Sequence, residues 1–384
     1  MKFIRKLKYP LIMLYKSFYQ ICYILLSNIR PLDDNKVVIS VYRGKELEGN
    51  LKFIYEEILK LNKNSKIHLI FSENKMNLKL FKDIFFISNA KYLILDDFYL
   101  PVYLIKPKKT LKVIQLWHAA GAFKKFGYST IDYTFGPDRE YLQLVPIHSN
   151  YTHVYVSSEN IVHHYAEAFD MDQRNIYPLG IPRSDMFFDE VYIEKTIKKI
   201  QKEYGRKIAK KTIILFAPTY RASNSQRESS IDFVDILHEI SLNITEDKVV
   251  VYKPHPYLMN LSLSRMREYR NIIVADKYSI NEWMLISDAF ITDYSSAVFE
   301  YGILHRPIAH YVPDLNEYEN NRGLYYPIEK ISDGEIIFDI EDLIQWISKR
   351  MKNEYWDTKN MLEFNFGKLG NVSKRIARHF LDNE

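Results

Sequence analysis

Four short, largely apolar runs, each ending in polar groups, constrain this chain more tightly than anything else in it. Residues 111–116 (LKVIQL) deliver Trp117-His118 and then AAGAFKKFG, and residues 212–216 (TIILF) deliver Ala217-Pro218-Thr219-Tyr220-Arg221. Residues 248–252 (KVVVY) deliver Lys253-Pro254-His255-Pro256, and residues 288–291 (DAFI) run into Thr292-Asp293-Tyr294-Ser295-Ser296 and a following helix. Runs this uniformly apolar suit strands covered on both faces, as in a parallel sheet wrapped by helices. Ligands of such sheets sit beyond the carboxyl ends of the strands, where all four polar motifs fall.

The wider pattern agrees. From Lys36 onward, short strand-like runs alternate with amphipathic stretches, the pattern of βα units. Strands are expected at 37–41, 67–71, 92–95, 113–116, 154–156 and 175–179, then at 212–216, 248–252, 271–274 and 289–292. Helices are expected at 51–61, from a cap at Ser157 or Ser158 to Phe169, and at 194–207, 233–241 and 280–286. A chain of 384 residues is long for one core, and 47% hydrophobic residues can fill two. The expected architecture is therefore α/β, with two Rossmann-like domains (31–187 and 188–384) facing across a cleft.

Charge is uneven. Residues 1–30 hold Lys2, Arg5, Lys6, Lys8, Lys16 and Arg30 with no acidic residue, and without those six the 53 basic residues nearly balance the 48 acidic ones. Basicity is thus a property of the N-terminus, not of a groove in the body, which argues against a nucleic-acid partner. The same segment carries LIMLY and ICYILL, interrupted by Lys16, Ser17 and Gln20. It reads as an amphipathic helix on an anionic membrane surface, too broken to span one. A helix packed on the protein's own surface is the competing reading. The single Cys22 excludes an internal disulfide and a cysteine zinc cluster, and fits a reducing, cytosolic setting.

Several strand-end residues have functional chemistry. His118 precedes the small run Ala119-Ala120-Gly121, and an imidazole is suited to deprotonating a hydroxyl near neutral pH. Lys124 and Lys125, just beyond, suit an anionic group. His255 is fixed between two prolines; with Lys253 and the donor fork of Arg221 it suits a pyrophosphate. Ser295 and Ser296 open a helix whose unpaired amides favour a phosphate, although a serine there is also an ordinary N-cap. Asp96-Asp97 ends a strand without a ligand cluster, so no metal is expected. No Gly-x-Gly-x-x-Gly, Walker loop or Gly-x-Ser-x-Gly is present, which disfavours dehydrogenases, NTPases and esterases.

The set QLWHAAGAFKKFG, YPLGIPRSD, FAPTYR, KPHP and ITDYSSAVFEYGILHRPI, with RGKELEGNLKFIYE upstream, resembles the CDP-glycerol glycerophosphotransferase family of teichoic-acid and capsule synthesis. The resemblance runs from about Val41 to beyond Arg322. It implies a GT-B fold, attachment to the cytoplasmic face of the membrane, and no cofactor. The implied reaction moves glycerol phosphate from CDP-glycerol to an undecaprenyl-diphosphate-linked saccharide and releases CMP. It implies His118 as catalytic base and His255 as a catalytic contact to the donor phosphates. It further implies Thr292, Ser295, Ser296 and Arg322 on the donor. Arg221 and Lys253 are expected beside them, and Trp117, Lys124 and Lys125 are expected towards the acceptor or a phosphate. Longer polymerases of the family read WHGTPLKK where this chain has WHAAGAFKK, so the chain looks more like the short primases. Ribitol in place of glycerol, a UDP-sugar transferase, and a catalytically silent assembly factor are the alternatives that remain open.

Overall fold

A computed structural model describes residues 9–42, 46–71, 74–133, 136–219, 231–254 and 262–382. Arg221 and His255 lie outside these described residues. The chain divides into two compact units, Met1–Asp185 with Phe366–Glu384, and Met186–Asn365.

The first unit begins with helix α1 (Tyr9–Ile29) and continues through β1 (Asp33–Val41), helix α2 (Gly49–Leu61), β2 (Lys66–Phe71), β3 (Ala90–Leu95), β4 (Lys112–Gln115), β5 (His153–Tyr155) and β6 (Ile176–Tyr177). All six strands are parallel, in the order β2-β1-β3-β4-β5-β6. The central strands β1, β3 and β4 are buried over most of their length, while β2, at the edge, still reaches solvent. Helix α3 (Val162–Phe169) starts where expected: Ser158 accepts the Asn160 N–H, and Asp170, in the left-handed region at φ 48°, closes the other end.

α1 has two faces. Tyr19 and Tyr23 are buried, their hydroxyls engaged with Leu80 O and Lys108 N, and the Lys16 ammonium donates to Leu144 O at 2.6 Å. The side of α1 that carries Lys16, Tyr19 and Tyr23 therefore turns to the protein. Leu11, Leu14, Phe18, Ile21 and Leu25 repeat at helical spacing on the other side and are more than half exposed.

The second unit opens with helix α4 (Glu190–Ile208), capped by Asp189, whose carboxylate accepts the Tyr192 N–H and starts the helix four residues before the expected Glu194. Its strands are β7 (Thr212–Phe216), β8 (Lys248–Tyr252), β9 (Ile272–Val274), β10 (Ala289–Thr292), β11 (Ile308–Tyr311) and β12 (Glu335–Ile337). They are also parallel, in the order β12-β11-β10-β7-β8-β9. The chain lays β8 and β9 to one side of β7, then returns to lay β10, β11 and β12 on the other. This is the doubly wound order, with its reversal between β7 and β10, the position beyond whose strand ends such sheets bind ligands. Helix α5 (Ala297–Gly302) follows β10, and helix α6 (Leu315–Arg322) follows β11.

The final helix, α7 (Val372–Asp382), corrects the expected boundary, because it belongs to the first unit and not to 188–384. Val372, Ile376 and Phe380 are fully buried among Val37, Ile39, Ile58 and Ile94. Each such burial stabilises by roughly 1.5–3 kcal/mol. The GIPRSD segment holds this helix in place. Asp185 accepts the N–H groups of Val372 and Ser373, both at 2.8 Å, satisfying amides that a helix start leaves open. Gly180 sits at φ 107°, and a Cβ there would lie 2.8 Å from the Val372 side chain.

Candidate active site

β4 carries His118 to the carboxyl end of the first sheet through a clamped backbone turn. Trp117 occupies the left-handed region at φ 53°, a costly position for a bulky residue. Two buried amides hold it there. Gln115 Oε1 accepts the Trp117 N–H at 2.9 Å, and Asn50 Nδ2 donates to the Trp117 carbonyl at 2.7 Å. Asn50 also accepts the Arg183 N–H, and Gln115 donates to Asp97 O, so the turn is tied to two neighbouring loops. The sequence reading missed both residues. A fully buried glutamine at the end of the apolar run LKVIQL was the available signal.

The turn leaves the His118 side chain 32% exposed, stacked on Trp117 with ring centroids 4.4 Å apart. Its Nδ1 faces the Asp96 carbonyl at 3.3 Å and the buried Asp97 carboxylate at 3.7 Å. Behind lie His148, Tyr151 and Tyr103; burial pushes His148 down to about 3, so it is neutral at pH 7. Trp117 itself is 8% exposed and packs against Phe126, His148 and Phe169. It forms a platform under His118. Lys124 and Lys125 follow in a half-buried segment, with the Lys125 ammonium over the Tyr133 ring.

In the second unit, the polar ends of β7 and β10 are joined at the point where strand order reverses. Asp293, almost fully buried, accepts the Thr219 N–H at 2.9 Å, the Thr219 hydroxyl at 3.1 Å and the Tyr294 N–H at 2.6 Å. Thr292 is fully buried, and its hydroxyl donates to Ala217 O at 2.8 Å. Thr292 thus braces the end of β10 against the end of β7. Beneath the turn, His310 bridges Asp293 O and Ser332 Oγ, both at 2.8 Å, and burial lowers its basicity.

Ser295 and Ser296 reach solvent beside these buried residues. Ser295 Oγ accepts the Ala297 N–H at 3.3 Å, while Ser296 makes no side-chain cap bond. α5 has only six residues, so hydroxyls and local amides contribute more here than a summed helix dipole. Tyr294 ties this turn to α6 by stacking on Tyr318, at 3.7 Å between centroids, and by donating to Asp314. Arg322, half-buried, ends that helix ahead of Gly323 at φ 72°. The Lys253 ammonium donates to Ala275 O at 3.1 Å and Tyr278 O at 2.7 Å. Among the described residues no group of three or more His, Cys, Asp or Glu is arranged to hold a metal ion.

A family model described as CDP-glycerol:poly(glycerophosphate) glycerophosphotransferase matches residues 22–381. The chain is 37% identical to the teichoic acid ribitol-phosphate primase of Bacillus spizizenii, over 94% of this chain and 95% of that protein. It is 28% identical to the teichoic acid glycerol-phosphate primase of Bacillus subtilis, over 81% and 80%. Against the poly(ribitol-phosphate) polymerase of B. spizizenii it is 32% identical over 98% of its own length, but spans only 60% of that longer protein. A structure of the wall teichoic acid polymerase TagF soaked with CDPG shares the fold, with a TM-score of 0.75 at 20% identity over 99% of this chain and 96% of the other. The chain belongs to the CDP-glycerol:poly(glycerophosphate) glycerophosphotransferase family.

Proposed function

We propose that the protein is an alditol-phosphate transferase of teichoic acid assembly. It takes the alditol phosphate from a CDP-alditol, transfers it to a hydroxyl of an undecaprenyl-diphosphate-linked saccharide, and releases CMP. The observation that carries this reading is the imidazole of His118, solvent-reaching on an otherwise buried, doubly clamped turn. In the proposed reaction His118 takes the acceptor's proton and the freed oxygen attacks the β-phosphorus. The bond from that phosphorus to the bridging oxygen breaks, and CMP leaves with the electron pair. Ser295, Ser296 and the neighbouring amides, with Arg322, Arg221 and His255, are assigned to the donor phosphates, and Lys124 and Lys125 to the acceptor's anionic end. No cofactor enters.

The sequence reading placed CDP-glycerol first. The 37% identity to a ribitol-phosphate primase, against 28% to a glycerol-phosphate primase, favours CDP-ribitol, with CDP-glycerol as the second reading. The higher identity to a primase, 37% against 32% to a ribitol-phosphate polymerase, supports addition of a first unit over polymerisation. We assign the protein to the cytoplasmic membrane surface, through the exposed apolar side of α1 and the basic residues 2–8. The test is CMP release from CDP-ribitol, CDP-glycerol and UDP-sugars in turn, on a synthetic prenyl-diphosphate disaccharide, with the product weighed by mass spectrometry. Release of UDP, or no nucleotide release from any CDP-alditol, contradicts the proposal.

A further inference from the structure

His118 Nδ1 faces two groups from the end of β3, and both can only accept. The Asp96 carbonyl lies at 3.3 Å and the Asp97 carboxylate at 3.7 Å. Two acceptors around one ring nitrogen leave a single favourable arrangement, with the proton on Nδ1 and the lone pair on Nε2. Asp97 is itself held in place. It is 7% exposed, its Oδ1 accepts the Phe98 N–H at 2.7 Å, and its carbonyl accepts from Gln115, which also fixes the Trp117 turn. We propose that Asp97 is the positioning residue of the His118 base, keeping the proton on Nδ1 and aiming Nε2 at the acceptor hydroxyl. This rests on the reading of His118 given above. When the acceptor's proton passes to Nε2, the ring becomes an imidazolium, and the carboxylate beside Nδ1 stabilises that charge until the proton is released to solvent.

His148, Tyr103 and Tyr151, which lie behind this carboxylate, carry no charge that would compete for it. His148 is pushed down to about 3 by burial, and Tyr103 and Tyr151 are raised by burial, so all three are neutral at pH 7. His118 is the one imidazole of the pair that reaches solvent.

Imidazole ¹⁵N NMR on the full chain, with the His118 signal assigned by its loss in His118→Gln, reads the tautomer directly. The expected result is a protonated Nδ1 and a bare Nε2 above the imidazole midpoint. Asp97→Asn keeps the shape and the acceptor for Phe98 but removes the charge. It should lower the His118 midpoint by roughly 1–2 pH units, move the acid limb of kcat/KM with it, and reduce kcat at least tenfold with donor KM within twofold. Asp97→Glu should recover part of each shift. A wild-type His118 protonated on Nε2, or a folded Asp97→Asn whose His118 midpoint is unchanged, overturns the proposal. Should Asp97→Asn fail to fold, the wild-type tautomer decides alone. A protonated Nδ1 in a protein that releases no CMP from any CDP-alditol supports the assignment of Asp97 and defeats only the reading of the reaction.

Discussion

At the scale of single residues, His118 and Asp293 show how differently two polar side chains at strand ends are used. His118 is presented outward by a strained turn, and Asp293 is turned inward to fasten two loops. Removing the imidazole should cost about 10²- to 10⁴-fold in CMP release, the usual range for a general base. His118→Ala retaining more than a tenth of wild-type turnover would refute that role. His148 carries a separate expectation for stability. Its folded value of about 3 lies below the ordinary 6.5, so between those limits the unfolded chain takes up a proton that the folded one refuses. Stability therefore falls as pH drops from 6.5 towards 3, by up to about 1.4 kcal/mol per pH unit from this group. His153, lowered to about 4 by burial, acts in the same direction. Urea midpoints measured from pH 7 to pH 4 should decline, and His148→Asn should flatten part of the slope.

At the scale of elements, the strands written as unbroken apolar runs were legible, because burial on both faces leaves no room for another pattern. β11 and β12 were not. IAHY contains a histidine whose two nitrogens meet Asp293 O and Ser332 Oγ, partners distant in sequence, and three residues of β12 are too few to show periodicity. The candidate site followed the same rule. His118, Ser295 and Ser296 were readable as solvent-reaching groups at strand ends, whereas the packing of Trp117 and the hydrogen bonds of Thr292 and Lys253 within their own unit were not, since sequence does not tell which way a side chain turns. Asn50, Gln115 and Asp293 hold their loops through partners distant in sequence, which no local pattern announces. Nor did YPLGIPRSD disclose that its aspartate caps a helix almost two hundred residues later. Asp185→Ala should destabilise by about 1–3 kcal/mol, the cost of leaving helix-start amides without a charged acceptor. A thermal melt indistinguishable from wild type would show that water replaces it.

At the scale of the whole molecule, α1 changes how attachment to a bilayer should be tested. Deleting residues 1–30 would strip Tyr19 and Tyr23 from the first unit and expose what they cover. Leu14→Glu with Leu25→Glu alters only the exposed side, and should abolish sedimentation with anionic liposomes while leaving the melting temperature unchanged within a few degrees. Undiminished co-sedimentation would place the attachment elsewhere. Among the described residues no helix is long and apolar enough to cross a membrane. Two units with parallel sheets were legible from the alternation of strands and helices, but the boundary was not, because the chain crosses it twice. That double crossing bears on biosynthesis. The opening domain lacks Val372, Ile376 and Phe380 until the ribosome has passed the whole of the second unit, so its interior closes only after the intervening domain has been made.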